Sequence, residues 1–157
     1  MNITRRQTRE KVLQVLYAHE MTNDPIEKIK ADLLPDLEEE DNIKFSNLLI
    51  KHVLENKLRF DELIKSAVSN WDIERIALLD FIIIKMCLSE FLFFEEIPPK
   101  VSINEAIDLA KDYSTKNSGK FVNGILDTLL NRLLKDGTIV KTGKGLISQS
   151  IKPSNQE

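Results

Sequence analysis

The sequence has few of the residues that cross-link chains, bind metals or build strands. Among 157 residues there is one cysteine, Cys87, which excludes an internal disulfide. It lies in a strongly apolar segment, where a thiol is ordinarily a buried packing group. With that cysteine and only two histidines, His19 and His52, there is no ligand spacing for zinc and no Cys–His pair for nucleophilic chemistry. His19 falls on the apolar face of the first predicted helix and reads as a core-edge side chain. All five glycines lie beyond residue 118, and the β-branched alternation of strands is missing. No dinucleotide-binding fingerprint is present. The stretch from Gly137 to Gly145 looks superficially like a phosphate-binding loop. Its first two glycines are separated by one residue too many, Lys144 is followed by glycine instead of Ser or Thr, and no strand precedes it. The 25 acidic residues offer no pair singled out for acid–base catalysis.

Long apolar runs are missing too. The most apolar stretch, Ile76 to Phe94, is interrupted by Asp80, Lys85 and Glu90, and so lacks the charge-free run of about 20 residues expected of a membrane span. The amino end is polar and arginine-rich, unlike a signal peptide. A cytoplasmic protein without metal or other cofactor is the expectation.

What is present is helical periodicity over a length suited to one domain. The chain of 18.0 kDa is 42% hydrophobic, enough for a core. Its net charge of −3 is unevenly spread. Residues 1–20 carry four bases against two acids, residues 24–42 eight acids against two bases, and residues 111–145 seven bases against three acids. Two basic ends flank an acidic arm, whose run from Asp36 to Asp41 reads as a solvated loop.

The pattern predicts a first helix from Thr4 to Met21, with threonine as cap and Asn23-Asp24-Pro25 as stop, then a short helix from Ile26 to Leu34. From Asn42 to Val68, apolar positions including Phe45, Leu49, Val53, Leu58 and Ile64 describe one or two amphipathic helices with a bend near Asn56-Lys57. Asp72 to Phe94 is apolar on nearly every side, as the central helix of a bundle must be, and Pro98-Pro99 end it. Ser102-Ile103-Asn104-Glu105 has capping-box spacing and predicts a helix to Tyr113. A last helix, capped by Asn117 or Ser118, carries the broad stripe Phe121 to Leu134. The expected fold is all-α, a compact bundle of about seven helices in two subdomains over residues 1–136. Gly137 to Glu157 reads as a flexible tail.

Two features point to a partner. On a wheel of 100° per residue, Arg5 and Arg9 project with the core residues Val12, Leu13 and Leu16. Unpaired guanidiniums do not enter a core, so this end must overhang it or meet an anion such as RNA phosphate or an acidic protein. The second feature is Asn117-Ser118-Gly119-Lys120-Phe121, where a helix amino end and a cation suit phosphate and Phe121 could stack on a base or join the core.

Thr4-Arg5-Arg6-Gln7-Thr8-Arg9-Glu10-Lys11-Val12-Leu13-Gln14-Val15-Leu16-Tyr17, together with the run from Val101-Ser102-Ile103-Asn104-Glu105-Ala106-Ile107-Asp108 through Ser118-Gly119-Lys120-Phe121-Val122-Asn123-Gly124-Ile125-Leu126-Asp127, resembles the NusB family of bacterial antitermination factors. The likeness spans about residues 3 to 135. It implies recognition of single-stranded boxA RNA in ribosomal RNA transcripts, a heterodimer with the ribosomal protein NusE, and loading onto RNA polymerase with other Nus factors. The implied RNA contacts are Arg5, Arg6, Arg9, Gln14, Tyr17, Asn117, Ser118, Lys120 and Phe121. The implied NusE contacts are Lys85, Met86, Ser89 and Glu90. On this reading the arginines and Lys120 neutralise phosphates while Tyr17 or Phe121 stacks.

Gln7 and Thr8 interrupt an arginine run that is often richer in relatives, which weakens phosphate attraction. Asn117 stands where an acid is common, which strengthens it. The rival readings are a pure protein-interaction bundle and a subunit of an RNA methyltransferase. The latter lacks a segment for a cofactor-binding sheet.

Overall fold

A computed structural model describes residues 2–68 and 76–146. Among them are seven α-helices and no strand: α1 (Arg5–Thr22), α2 (Ile26–Leu33), α3 (Glu40–Glu55), α4 (Lys57–Ala67), α5 (Leu78–Phe93), α6 (Pro99–Tyr113) and α7 (Ser118–Lys135), followed by a 3-10 turn (Gly143–Leu146). The start of the predicted central helix, at residues 72–75, lies outside the described residues.

Local chemistry sets most boundaries. The Thr4 hydroxyl accepts the Gln7 N–H at 3.0 Å while the Gln7 side chain accepts the Thr4 N–H at 2.9 Å, a reciprocal cap that starts α1. Asn23 ends it in the left-handed conformation at φ 59°. The expected bend at Asn56 separates α3 from α4. The capping box expected at Ser102 is not used. Helix α6 begins at Pro99, where a first-turn proline loses no hydrogen bond, and Ser102 is buried inside it.

Every residue of α5 from Ile82 to Phe91 is buried, because α1, α3, α4, α6 and α7 all pack on it. Helices α1 to α3 form one group on this shared axis; α4, α6 and α7 form the other. Leu58, predicted to face the core, is instead 81% exposed.

The expected tail is held over its described part. Ile139 packs against the core. Lys141 Nζ donates to the carbonyls of Glu90 at 2.9 Å and Phe94 at 2.7 Å, reinforcing the carboxyl end of α5, where the Phe94 N–H also reaches the Glu90 carbonyl at 3.3 Å. The Thr142 N–H reaches the Glu95 carbonyl at 3.0 Å. A Cβ at Gly145 would run into the same carbonyl, so only glycine lets the strap lie this close. Residues 147–157 lie outside the described residues. The sequence missed the strap because its anchor is one lysine meeting main-chain oxygens, which leaves no periodic trace.

Burial pushes Lys141 down to about 8, against the attraction of Glu90. A lysine depressed in the folded state sheds its proton before the unfolded one does. Its contribution to stability therefore rises with pH from about 8 to about 10.4, the ordinary lysine value. Cys87, raised by burial, acts with opposite sign at the alkaline end of this window. The comparison that isolates the lysine is Lys141→Met: the stability difference between parent and variant in denaturant should shift in favour of the parent as pH rises through this window. A pH-independent difference would show that Lys141 is not desolvated in solution.

Candidate nucleic-acid interface

The three arginines of α1 have three different environments. Arg9 is 4% exposed. Its Nε and Nη2 donate to the two carboxylate oxygens of Glu90, both at 2.8 Å, and its Nη1 lies 3.7 Å from Glu105. The Ser102 hydroxyl donates to the same Glu90 carboxylate at 2.7 Å. Burial disfavours the charge on Arg9, but Glu90 and Glu105 outweigh it and the guanidinium's pKa is raised. Arg9 thus ties α1 to α5 and α6. The expectation that it faces phosphate is corrected, since its charge is matched inside the core by an acid 81 residues away.

Arg5 is half-buried, with its guanidinium 4.2 Å from the centre of the Phe45 ring and Nε donating to Asn42 at 2.9 Å. Burial, then the charge of Arg9, lowers its pKa. Arg6 alone reaches outward. Its side chain is 52% exposed, and it donates to Glu105 at 3.1 and 3.0 Å and to Asp108 at 2.7 Å. Glu105 and then Asp108 raise its pKa.

Along α1, Arg6, Glu10, Gln14 and Tyr17 follow one another at helical spacing on one face. Gln14 is exposed and Tyr17 is 37% exposed. Glu10 and Gln14 stand beside the Tyr113 hydroxyl at the end of α6; burial, then Glu10, raises that phenol's pKa. The stem of Lys111 crosses the start of α7, since a Cβ at Gly119 would sit 3.1 Å from its Cγ and Cε. Lys120 and Asn117 are exposed at that helix end. Arg6, Asn104, Glu105, Asp108 and Lys111 line an open depression. One rim therefore carries Arg6, Lys111 and Lys120, with Gln14, Tyr17 and Asn117 as polar and aromatic neighbours.

Of the two remaining expected contacts at the start of α7, one lies inside and the other is only partly covered. Ser118 is 2% exposed, donating to buried Asp80 at 2.8 Å and accepting the Thr115 N–H at 3.1 Å. Phe121 is half-buried against the core. The four expected NusE contacts are also internal: Met86, Ser89 and Glu90 are at most 2% exposed. Lys85 is 8% exposed and its Nζ pairs with Asp61 at 2.6 Å. These assignments are corrected, because the stretch from Ile82 to Phe91 is enclosed and only the ends of α5 reach the surface. The exposed apolar groups nearby are Leu58 on α4 and Leu78 and Phe93 on α5; the Phe93 ring stacks on His52 at 4.1 Å. No helix of the described residues is long and apolar enough to cross a membrane, and no grouping of His, Cys, Asp and Glu among them could hold a metal ion.

Similar proteins share this architecture. The chain is 40% identical over 152 residues to the transcription antitermination protein NusB of Chloroherpeton thalassium, covering 94% of this chain and 71% of that protein. It is 42% identical over 146 residues to its counterpart in Salinibacter ruber, covering 92% and 91%. The solved structure of T. maritima NusB superposes with a TM-score of 0.77 at 34% identity, over 83% of this chain and 93% of that one. A structure of antitermination factors NusB and NusE in complex with double-stranded RNA gives 0.73 over 82% and 96% of the two chains. At 20% identity it speaks for the fold. The NusB family model matches residues 6–131, and with these relatives it places the chain in the NusB family.

Proposed function

We propose that this chain is a non-catalytic transcription antitermination factor of the cytoplasm. It binds single-stranded boxA-type RNA of ribosomal transcripts together with NusE, and joins other Nus factors on RNA polymerase. Relatives of 40% and 42% identity bear the name of antitermination proteins. The observation that carries the RNA reading is the outward rim of Arg6, Lys111 and Lys120 beside exposed Tyr17. Arg6 and Lys120 supply phosphate contacts, Tyr17 a stacking face, and Gln14 and Asn117 hydrogen bonds. Arg9 and Ser118 shape this rim from within. With Lys85, Met86, Ser89 and Glu90 enclosed, NusE contact falls to surface side chains of α4 and α5 such as Leu58 and Phe93.

Filter binding with boxA-type and scrambled RNA, with and without NusE, tests the reading. Tighter binding of the boxA-type strand, strengthened by NusE, is expected. Equal and weak binding of both strands would favour a protein-interaction bundle. In the same assay Lys120→Ala should flatten the slope of log affinity against log salt by about 0.7, the value for one phosphate on a single strand.

A further inference from the structure

The cation most open to RNA on α1 is already engaged. Arg6 makes two hydrogen bonds to Glu105 and one to Asp108, all between 2.7 and 3.1 Å, at the edge of an open depression. A guanidinium fork held by carboxylate oxygens presents the donors it would present to phosphate oxygens. Both acids project from α6, Glu105 18% and Asp108 40% exposed, so the pair faces Arg6 from a packed helix while staying within solvent reach. We propose that Glu105 and Asp108 act as built-in phosphate substitutes on Arg6. A polyanion must displace them to use this cation, which penalises RNA that offers phosphate at Arg6 and nothing else nearby. This inference rests on the RNA-binding reading above.

The two acids are not equivalent. Glu105 also approaches buried Arg9, so its removal touches the core pairing. Asp108 contacts Arg6 without that second tie and is the cleaner position. Competition of this kind makes part of the binding free energy go into breaking an internal pair, which discriminates among ligands by what else they contact.

The test is a double-mutant cycle on affinity for single-stranded RNA. Asp108→Asn should tighten binding of scrambled RNA about three- to fivefold when Arg6 is present, the upper range for an exposed ion pair. In an Arg6→Gln background the same change should give less than about half that gain, since only through-space repulsion is then relieved. Asp112→Asn, an exposed acid on the same helix, should give equal small gains in both backgrounds. Equal gains from Asp108→Asn in the two backgrounds would overturn the substitution of carboxylate for phosphate, while leaving RNA binding itself intact. Absence of RNA binding by the parent chain would overturn the functional reading and the inference with it.

Discussion

Replacing Arg9 with alanine is expected to lower the stability of the fold by about 3–5 kcal/mol, because the Glu90 carboxylate would stay buried without its partner. For a chain of this length that is a drop in melting temperature on the order of 10 °C. Glu90→Ala should cost a similar amount by stranding the guanidinium. The paired change Arg9→Met with Glu90→Leu should recover much of the loss, since removing both charges removes the desolvation cost of each. Thermal unfolding of the three variants checks this. A folded Arg9→Ala protein with unaltered melting would show that the pair is exposed in solution, and would return Arg9 to the RNA surface.

Ser118→Ala is the second large effect. The Ser118 hydroxyl donates to one oxygen of buried Asp80, and the other oxygen, Oδ1, has no partner among the described residues. Removing the hydroxyl takes away the one hydrogen bond that Asp80 receives from the described residues and frees the Thr115 N–H, at a cost of about 2–3 kcal/mol. Stability in urea should fall by that amount. The salt slope of RNA binding should stay unchanged, because the hydroxyl faces inward. A variant of full stability that binds RNA less tightly would make Ser118 a direct contact.

These two residues show where the sequence is legible and where it is not. The cap at Thr4, the stop at Asn23, the bend at Asn56 and the enclosed α5 follow from residue types and periodicity over neighbouring positions. The wheel also located Arg5 and Arg9 correctly on the core side of α1. It could not tell that Glu90 waits there, since pairing across 81 residues leaves no local signal. Ser118 reads from sequence as a free helix start, whereas its partner Asp80 comes from another helix. Pro99 starts α6 ahead of a capping-box pattern that its buried serine does not serve. Arg6, Gln14 and Tyr17, which the family resemblance named and the wheel did not, are exposed and share one face of α1.

The account depends on phosphate being met by the outward rim while Arg9 works inside. Its most direct test is the salt dependence of boxA-type RNA binding for the parent and for Arg6→Ala with Lys120→Ala. The slope of log affinity against log salt should flatten by about 0.7 to 1.4, with Lys120 giving the full value for one phosphate and Arg6 a part reduced by its acidic partners. A double variant that remains folded and keeps the parent slope would contradict the account.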